Sequence, residues 1–185
     1  NRQVRKISTD LARLLCESPV SRVAKTLRDP ASDEPALLDA FDCVFWSGDL
    51  NYRVDMARPD ADAALAAGDL ARLHDADQLK TAIAAGAAFV GFSEGPLTFN
   101  PTYKFDSVGD DDEGSRRSSG NVDVYDTSAK QRVPSWTDRV LWGSRDEERV
   151  RLVDYQSVSD HRSRDHRPVF ASYVVGLASS HLRDS

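Results

Sequence analysis

Four short polar clusters in this chain carry residue types suited to handling a phosphate and a water. The first lies in Phe45-Trp46-Ser47-Gly48-Asp49-Leu50-Asn51-Tyr52-Arg53, where an apolar run stops at Gly48 and Asp49, Asn51 and Arg53 follow at alternate positions. In an extended chain, alternate side chains project from the same side of the backbone. Asp49 is then a candidate general base or metal-linked carboxylate. Asn51 is a candidate donor to a phosphoryl oxygen or to water, and Arg53 a positioning or structural cation. A strand closing on an Asx-type turn accounts for the same Gly and Asn on backbone grounds alone, and spacing does not choose between the two. Trp46 is expected in the core.

The second cluster is Pro101-Thr102-Tyr103-Lys104-Phe105-Asp106, where Tyr103 and Lys104 offer a phenol and an ammonium after a proline-fixed turn. The third is Lys130-Gln131-Arg132-Val133-Pro134-Ser135-Trp136-Thr137-Asp138-Arg139. Lys130 and Arg132 share one side of an extended segment, and a guanidinium suits two-point contact with phosphate. Asp138 and Arg139 then enter a strand, where an ion pair between them is the simple structural expectation. The fourth is Asp165-His166-Arg167-Pro168. A carboxylate beside a histidine can orient the imidazole, support a metal, or keep the ring charged toward a phosphate. A second pair, Asp160-His161, sits in a polar stretch and reads as loop surface; His74 and His181 read as structural or exposed.

These clusters need elements to hold them. Val4, Ile7, Leu11, Leu14 and Leu15 fall at helical spacing, and residues 18–35 read as a connecting loop. Asp42 to Trp46 is the first strand. Residues 59–88 read as two or three short helices broken near Gly68 and Gly86, with Asp62, Asp69 and Asp75 near helix starts. Residues 89–106 are extended and loop-rich, and 107–126 form a mobile, acidic, Gly/Ser-rich surface loop. Residues 139–142, 149–155 and 168–175 read as strands, with a charged turn at 143–148 and a frayed tail. Each polar cluster thus follows or opens an apolar strand, and in open α/β sheets such strand ends line the functional cleft.

Composition narrows the class. The chain has 185 residues, 40% apolar and 29% charged, with a net charge of -6, which fits one globular domain. That charge argues against a nucleic-acid coat or a basic membrane anchor, but local clusters still set the field at an anion site. Two cysteines, Cys16 and Cys43, give no disulfide framework and no thiolate metal site, so a reducing intracellular compartment is expected. No apolar run approaches the roughly 18 residues of a membrane span, and no signal or lipidation motif is present. The chain opens on Asn1 without an initiator Met and reads as a piece of a longer protein.

Five stretches in order, FWSGDLNYRV, DQL at 77–79, FSEGPLTFNPTYKFD, KQRVPSWTDRVLW and DHRPV, resemble the inositol polyphosphate 5-phosphatases of the endonuclease/exonuclease/phosphatase superfamily. The resemblance implies an α/β fold of two packed sheets flanked by helices, a four-layer sandwich. It implies Mg2+ and removal of the 5-phosphate from inositol lipids or soluble inositol polyphosphates, met at the membrane surface from the cytoplasm, with no nucleic acid as partner. Carried over by residue, Asp49 would orient or deprotonate the attacking water and Asn51 would hold the scissile phosphate or that water. His166 would contact phosphoryl oxygens, with Asp165 orienting it or supporting the metal. Tyr103, Lys104, Lys130 and Arg132 would contact a neighbouring 4-phosphate, and Arg53, Asp138 and Arg139 would support the site.

Departures from the pattern are specific. Arg164 stands where the family usually has Ser, Thr137 where Cys is common, and the acidic run at 109–113 is long for this loop. The family's amino-terminal half, with a metal-binding Glu and a His-Leu motif, has no counterpart before Asn1. Residues 1–177 are therefore expected to be the carboxy-terminal part of the catalytic domain, with a tail at 178–185. Alone, such a piece should expose an apolar face and show little or no phosphatase activity.

Overall fold

The computed structural model describes residues 38, 41–106, 124–160 and 164–177. The helix expected over residues 4–15, the loop at 18–35, the acidic run, His161, His181 and the tail lie outside the described residues.

Strand β1 (Cys43–Asp49) runs three residues beyond the expected Trp46. The extension follows from its partner: β3 (Asp138–Ser144) pairs antiparallel with it over its whole length, from Cys43 opposite Ser144 to Asp49 opposite Asp138. The ladder therefore satisfies the Gly48 and Asp49 backbone, which local sequence does not reveal. Short β2 (Phe92–Glu94) pairs with the other edge of β3, giving a three-stranded sheet in the order β1-β3-β2. With both edges of β3 occupied, the charged turn after it cannot close a hairpin. β4 (Val150–Ser157) instead pairs with β5 (Val169–Val175) in a second antiparallel sheet.

Three helices lie between β1 and β2: α1 (Arg58–Ala66), α2 (Leu70–Asp75) and α3 (Gln78–Ala84). Asp69 caps α2 by accepting from the Arg72 amide at 3.2 Å. The other two expected starts are corrected. Asp62 lies within α1, paired with Arg58 one turn earlier at 2.8 Å, and Asp75 ends α2. The cap of α3 is Asp77, which accepts from the Lys80 amide at 2.8 Å. Tertiary pairing sets that start, because Asp77 bridges to Val54 and the Gln78 amide donates to the Arg53 carbonyl at 2.9 Å.

The main core joins α1, α2 and both sheets through Val54, Ala61, Leu73, Leu97, Phe99, Trp136 and Tyr155, with Leu152, Val169 and Ala171 packed against it. Trp136 is fully buried and its indole donates to the Phe99 carbonyl at 2.9 Å. Gly95, just after β2, packs directly against β4. A Cβ there would lie 2.5 Å from Leu152 Cδ2 and 2.9 Å from Tyr155 Cδ1. A second cluster of Leu79, Ala88, Phe89 and Leu141 takes in Trp46, which meets Phe89 edge-on at 5.7 Å. The protein is thus an α/β sandwich of two antiparallel sheets with helices, and the outer positions Phe170 and Val174 of β5 remain exposed.

Arg139 links the layers. Its guanidinium meets both Glu94 oxygens at 2.6 Å and Asp77 Oδ2 at 2.9 Å. Tyr155 adds its hydroxyl to Glu94 at 3.0 Å. Burial alone would pull the Arg139 pKa down, and the Glu94 and Asp77 carboxylates more than reverse it, so the guanidinium stays charged. Burial and the Glu94 carboxylate push the Tyr155 phenol up, keeping it a donor. The ion pair expected between Asp138 and Arg139 gives way to this network, because consecutive strand residues face opposite sides of the sheet.

Candidate active site

The segment 101–105 is the central stave of the site. Tyr103 exchanges backbone hydrogen bonds with Ser135 at 3.1 and 2.7 Å on one side. On the other side it bridges to His166, while Thr102 and Phe105 bond to residues 167 and 165, each at 2.9 Å. The β1–β3 ladder continues into the same region, where the Leu50 amide donates to the Thr137 carbonyl at 2.8 Å. Backbone pairing therefore gathers all four sequence clusters.

The Asp49–Arg53 stretch is not the extended run that its alternation suggests. Asn51 has φ +59°, in the left-handed region that Asn tolerates better than most residues. Its amide donates to Asp49 Oδ1 at 2.9 Å, so the Asx-type turn is present. The turn nonetheless builds a site. The Arg53 guanidinium donates to the Asn51 side-chain oxygen Oδ1, which leaves the side-chain N–H pair of Asn51 to serve another acceptor. The same guanidinium lies over the Tyr103 ring, 4.3 Å from its centroid.

Tyr103 in turn meets the His166 ring at 4.5 Å between centroids, tilted by 45°. Among the described residues the carboxylate on that imidazole belongs to Asp138, whose Oδ2 lies 2.8 Å from His166 Nδ1. The neighbouring Asp165, expected to orient the ring, contributes its backbone carbonyl to the Phe105 amide instead. Strand pleating explains the difference, since neighbours along an extended chain point apart whereas residues on facing segments meet. Thr137 and Thr102, both fully buried, donate to the same Asp138 oxygen at 2.9 and 3.3 Å. The departure at position 137 thus supplies a hydroxyl donor that fixes the carboxylate. A carboxylate at Nδ1 makes that nitrogen the donor and leaves Nε2 to face a substrate.

The cationic set is organised separately. Lys104 is half-buried, with its ammonium 3.8 Å from Asp126, and the Arg132 amide donates to Asp126 Oδ2 at 2.8 Å. Lys130 and Arg132 are exposed on either side of Gln131, which has φ +38°. Sequence reading missed Asp126 by assigning it to a mobile loop. Residues 124–126 instead pair with 104–106: the Asp126 amide donates to the Lys104 carbonyl at 2.8 Å and the Asp106 amide to the Val124 carbonyl at 3.0 Å. The local signal available was Asp126-Thr127-Ser128, a strong turn-forming triplet.

Hydrogen bonds from Ser128 and Arg132 hold the Asp126 carboxyl well below its ordinary value of 3.8, at about 2. A depressed folded-state pKa gives stability that is complete above the unfolded value and lost as pH falls through the folded one. The Ser128 and Arg132 amide resonances are therefore expected to hold their positions down to about pH 4 and to move together as pH approaches 2. Movement complete above pH 4 would contradict this geometry.

Among the described residues, no three His, Cys, Asp or Glu side chains gather into a cage for a cation. The described residues alone therefore do not make a complete divalent-metal site. Asp49 and Asp165 carry carboxylates, the hard oxygen donors that divalent cations take.

Comparison with known proteins sets this geometry in context. The family model described as Endonuclease/Exonuclease/phosphatase family 2 matches residues 1–172. Synaptojanin of Caenorhabditis elegans is 41% identical over 152 residues, 82% of this chain but 12% of that protein. A solved inositol polyphosphate 5-phosphatase domain, that of SPsynaptojanin with inositol (1,4)-bisphosphate and calcium ion, superposes with a TM-score of 0.62 at 34% identity, over 85% of this chain and 42% of that one. A Cimex nitrophorin, solved as its ferrous NO complex, superposes with a TM-score of 0.61 at 35% identity, over 79% of this chain and 44% of that one. The chain thus spans about an eighth of the curated relative and under half of each solved chain. Two equally good superpositions carry different ligands, so the fold alone does not select a chemistry. The side chains must.

Proposed function

The chain belongs to endonuclease/exonuclease/phosphatase family 2, and on that premise we propose that it is the site-bearing part of an inositol polyphosphate 5-phosphatase. The reaction is hydrolysis of the 5-phosphate of phosphatidylinositol 4,5-bisphosphate and related inositol polyphosphates, with Mg2+ as the metal, reached at the cytoplasmic membrane surface. One observation carries this reading. His166, held by Asp138 at 2.8 Å, lies against Tyr103 at 4.5 Å, so residues suited to a reacting phosphate share one wall with residues suited to its neighbour.

The chemistry follows from the side chains. A phosphate monoester dianion repels its nucleophile, so the site must neutralise charge and aim a water in line. As an imidazolium, His166 donates from Nε2 to a phosphoryl oxygen, while Asp138 accepts from Nδ1 and stabilises the positive charge. The Asn51 amide, its oxygen occupied by Arg53, donates to the phosphate or the water, and Asp49 accepts from the water. Mg2+, when bound, would supply Lewis-acid neutralisation of the phosphoryl oxygens. Tyr103, Lys104, Lys130 and Arg132 supply donors for a 4-phosphate. Two charged donors at about 1.5–3 kcal/mol each suffice for a tenfold preference or more.

The absence of a cation cage among the described residues favours a second reading, a phosphoinositide-binding module without turnover. Phosphate release separates the two. The complete catalytic domain carrying this chain is incubated with vesicles containing phosphatidylinositol 4,5-bisphosphate and with inositol 1,4,5-trisphosphate, each with Mg2+ or with EDTA, beside a plasmid-nicking control. Release that requires Mg2+ and vanishes in His166→Ala supports the phosphatase. Vesicle binding without release supports the module, and nicking without release would replace both with a nuclease.

A further inference from the structure

A buried carboxylate within a cluster of cations needs an explanation, and Asp126 is such a group. Its side chain is fully shielded, with the Lys104 ammonium 3.8 Å away and the exposed Lys130 and Arg132 carried on the turn that it closes. Each of its oxygens is used. Oδ1 accepts from the Ser128 amide at 3.1 Å and Oδ2 from the Arg132 amide at 2.8 Å, with the Lys104 ammonium at 3.8 Å. The carboxylate thereby closes the turn 126–132 into a ring. Arg58 closes it a second time from α1: one guanidinium nitrogen donates at 2.9 Å to the carbonyls of both Asp126 and Arg132. Asp62 holds Arg58 in that pose through its Nε. At the other strand, Asp106 accepts from the Thr127 amide at 3.0 Å and hydroxyl at 2.7 Å, tying the turn to the segment that carries Lys104.

The arrangement has a physical purpose. Three cations on two neighbouring segments repel one another, and without a brace they would spread apart and lose the convergence that a phosphate needs. A single buried negative charge offsets that repulsion from below without occupying the outer face. We infer that Asp126, braced by Arg58, is a positioning residue that sets preference for inositol phosphates bearing a phosphate beside the scissile one, by holding Lys104, Lys130 and Arg132 as one preorganised surface. The inference rests on the function proposed above and adds to it the device that decides substrate choice.

Binding tests it without any need for turnover. Affinities of inositol 1,4-bisphosphate and inositol 1-phosphate are measured by titration calorimetry for the unaltered chain, Asp126→Asn and Arg58→Lys. The lysine keeps the charge but cannot serve two carbonyls and Asp62 together, and it carries the test if Asp126→Asn fails to fold. The unaltered chain should prefer the bisphosphate by tenfold or more, and each folded variant should bring that ratio within about threefold while inositol 1-phosphate binding stays unchanged. A variant that melts earlier yet keeps the ratio overturns the inference, since that is what a purely structural role produces. Equal binding of both headgroups by the unaltered chain overturns the inference together with the reading beneath it.

Discussion

Asp138→Asn is expected to slow phosphate release by about 10²–10⁴-fold with little change in KM, the size of effect seen when the carboxylate orienting a catalytic histidine is neutralised. Three donors, His166 Nδ1, the Thr137 hydroxyl and the Thr102 hydroxyl, converge on one Asp138 oxygen at 2.8, 2.9 and 3.3 Å. An amide in that place keeps the shape but loses the charge that stabilises an imidazolium. With its NH2 turned toward Nδ1 it also makes that nitrogen an acceptor, which leaves a neutral ring rather than an imidazolium facing the phosphate. A spectroscopic readout separates Asp138 from its rival. The hydrogen-bonded Nδ1 proton of His166 should disappear in Asp138→Asn and persist in Asp165→Asn. Loss of that signal in the Asp165 variant alone would return the orienting role to the sequence neighbour.

Arg139→Met should destabilise the fold by about 3–5 kcal/mol, read as a lowered urea midpoint. Removing the guanidinium leaves the Asp77 carboxylate, which is 1% exposed, with the Lys80 amide but no cation, and leaves Glu94 with only the Tyr155 hydroxyl from the present network. The cost of two uncompensated charges far exceeds the net worth of the intact cluster, because desolvation was already spent when the charges were buried. Arg139→Lys should recover only part of the loss, since an ammonium cannot meet both Glu94 oxygens and Asp77 at once. Adding Glu94→Gln to Arg139→Met should restore some stability by removing one stranded charge. A loss below about 1 kcal/mol for the single substitution would mean that the network contributes little.

Asp138 and Arg139 are adjacent at the start of β3 and have opposite tasks. Asp138 and Arg139 were expected to pair with one another. The pleat of β3 sends Arg139 inward, to partners 62 and 45 residues away, and Asp138 toward a histidine 28 residues away. A similar change of partner occurs at Asp165, which is beside His166 in sequence but does not supply the carboxylate on its ring.

The sequence by itself determined the local matters: strand segments, the breaks at Gly68 and Gly86, the cap at Asp69, and the residue types gathered at strand ends. These depend on propensity, capping and periodicity within a few residues. Only the tertiary structure decided which carboxylate holds His166, why Arg139 is buried, where Asn51 turns its amide, and that Asp126 organises the cationic turn. Each depends on sheet register and on segments that pack from far along the chain, and neither is encoded in the spacing of neighbouring side chains.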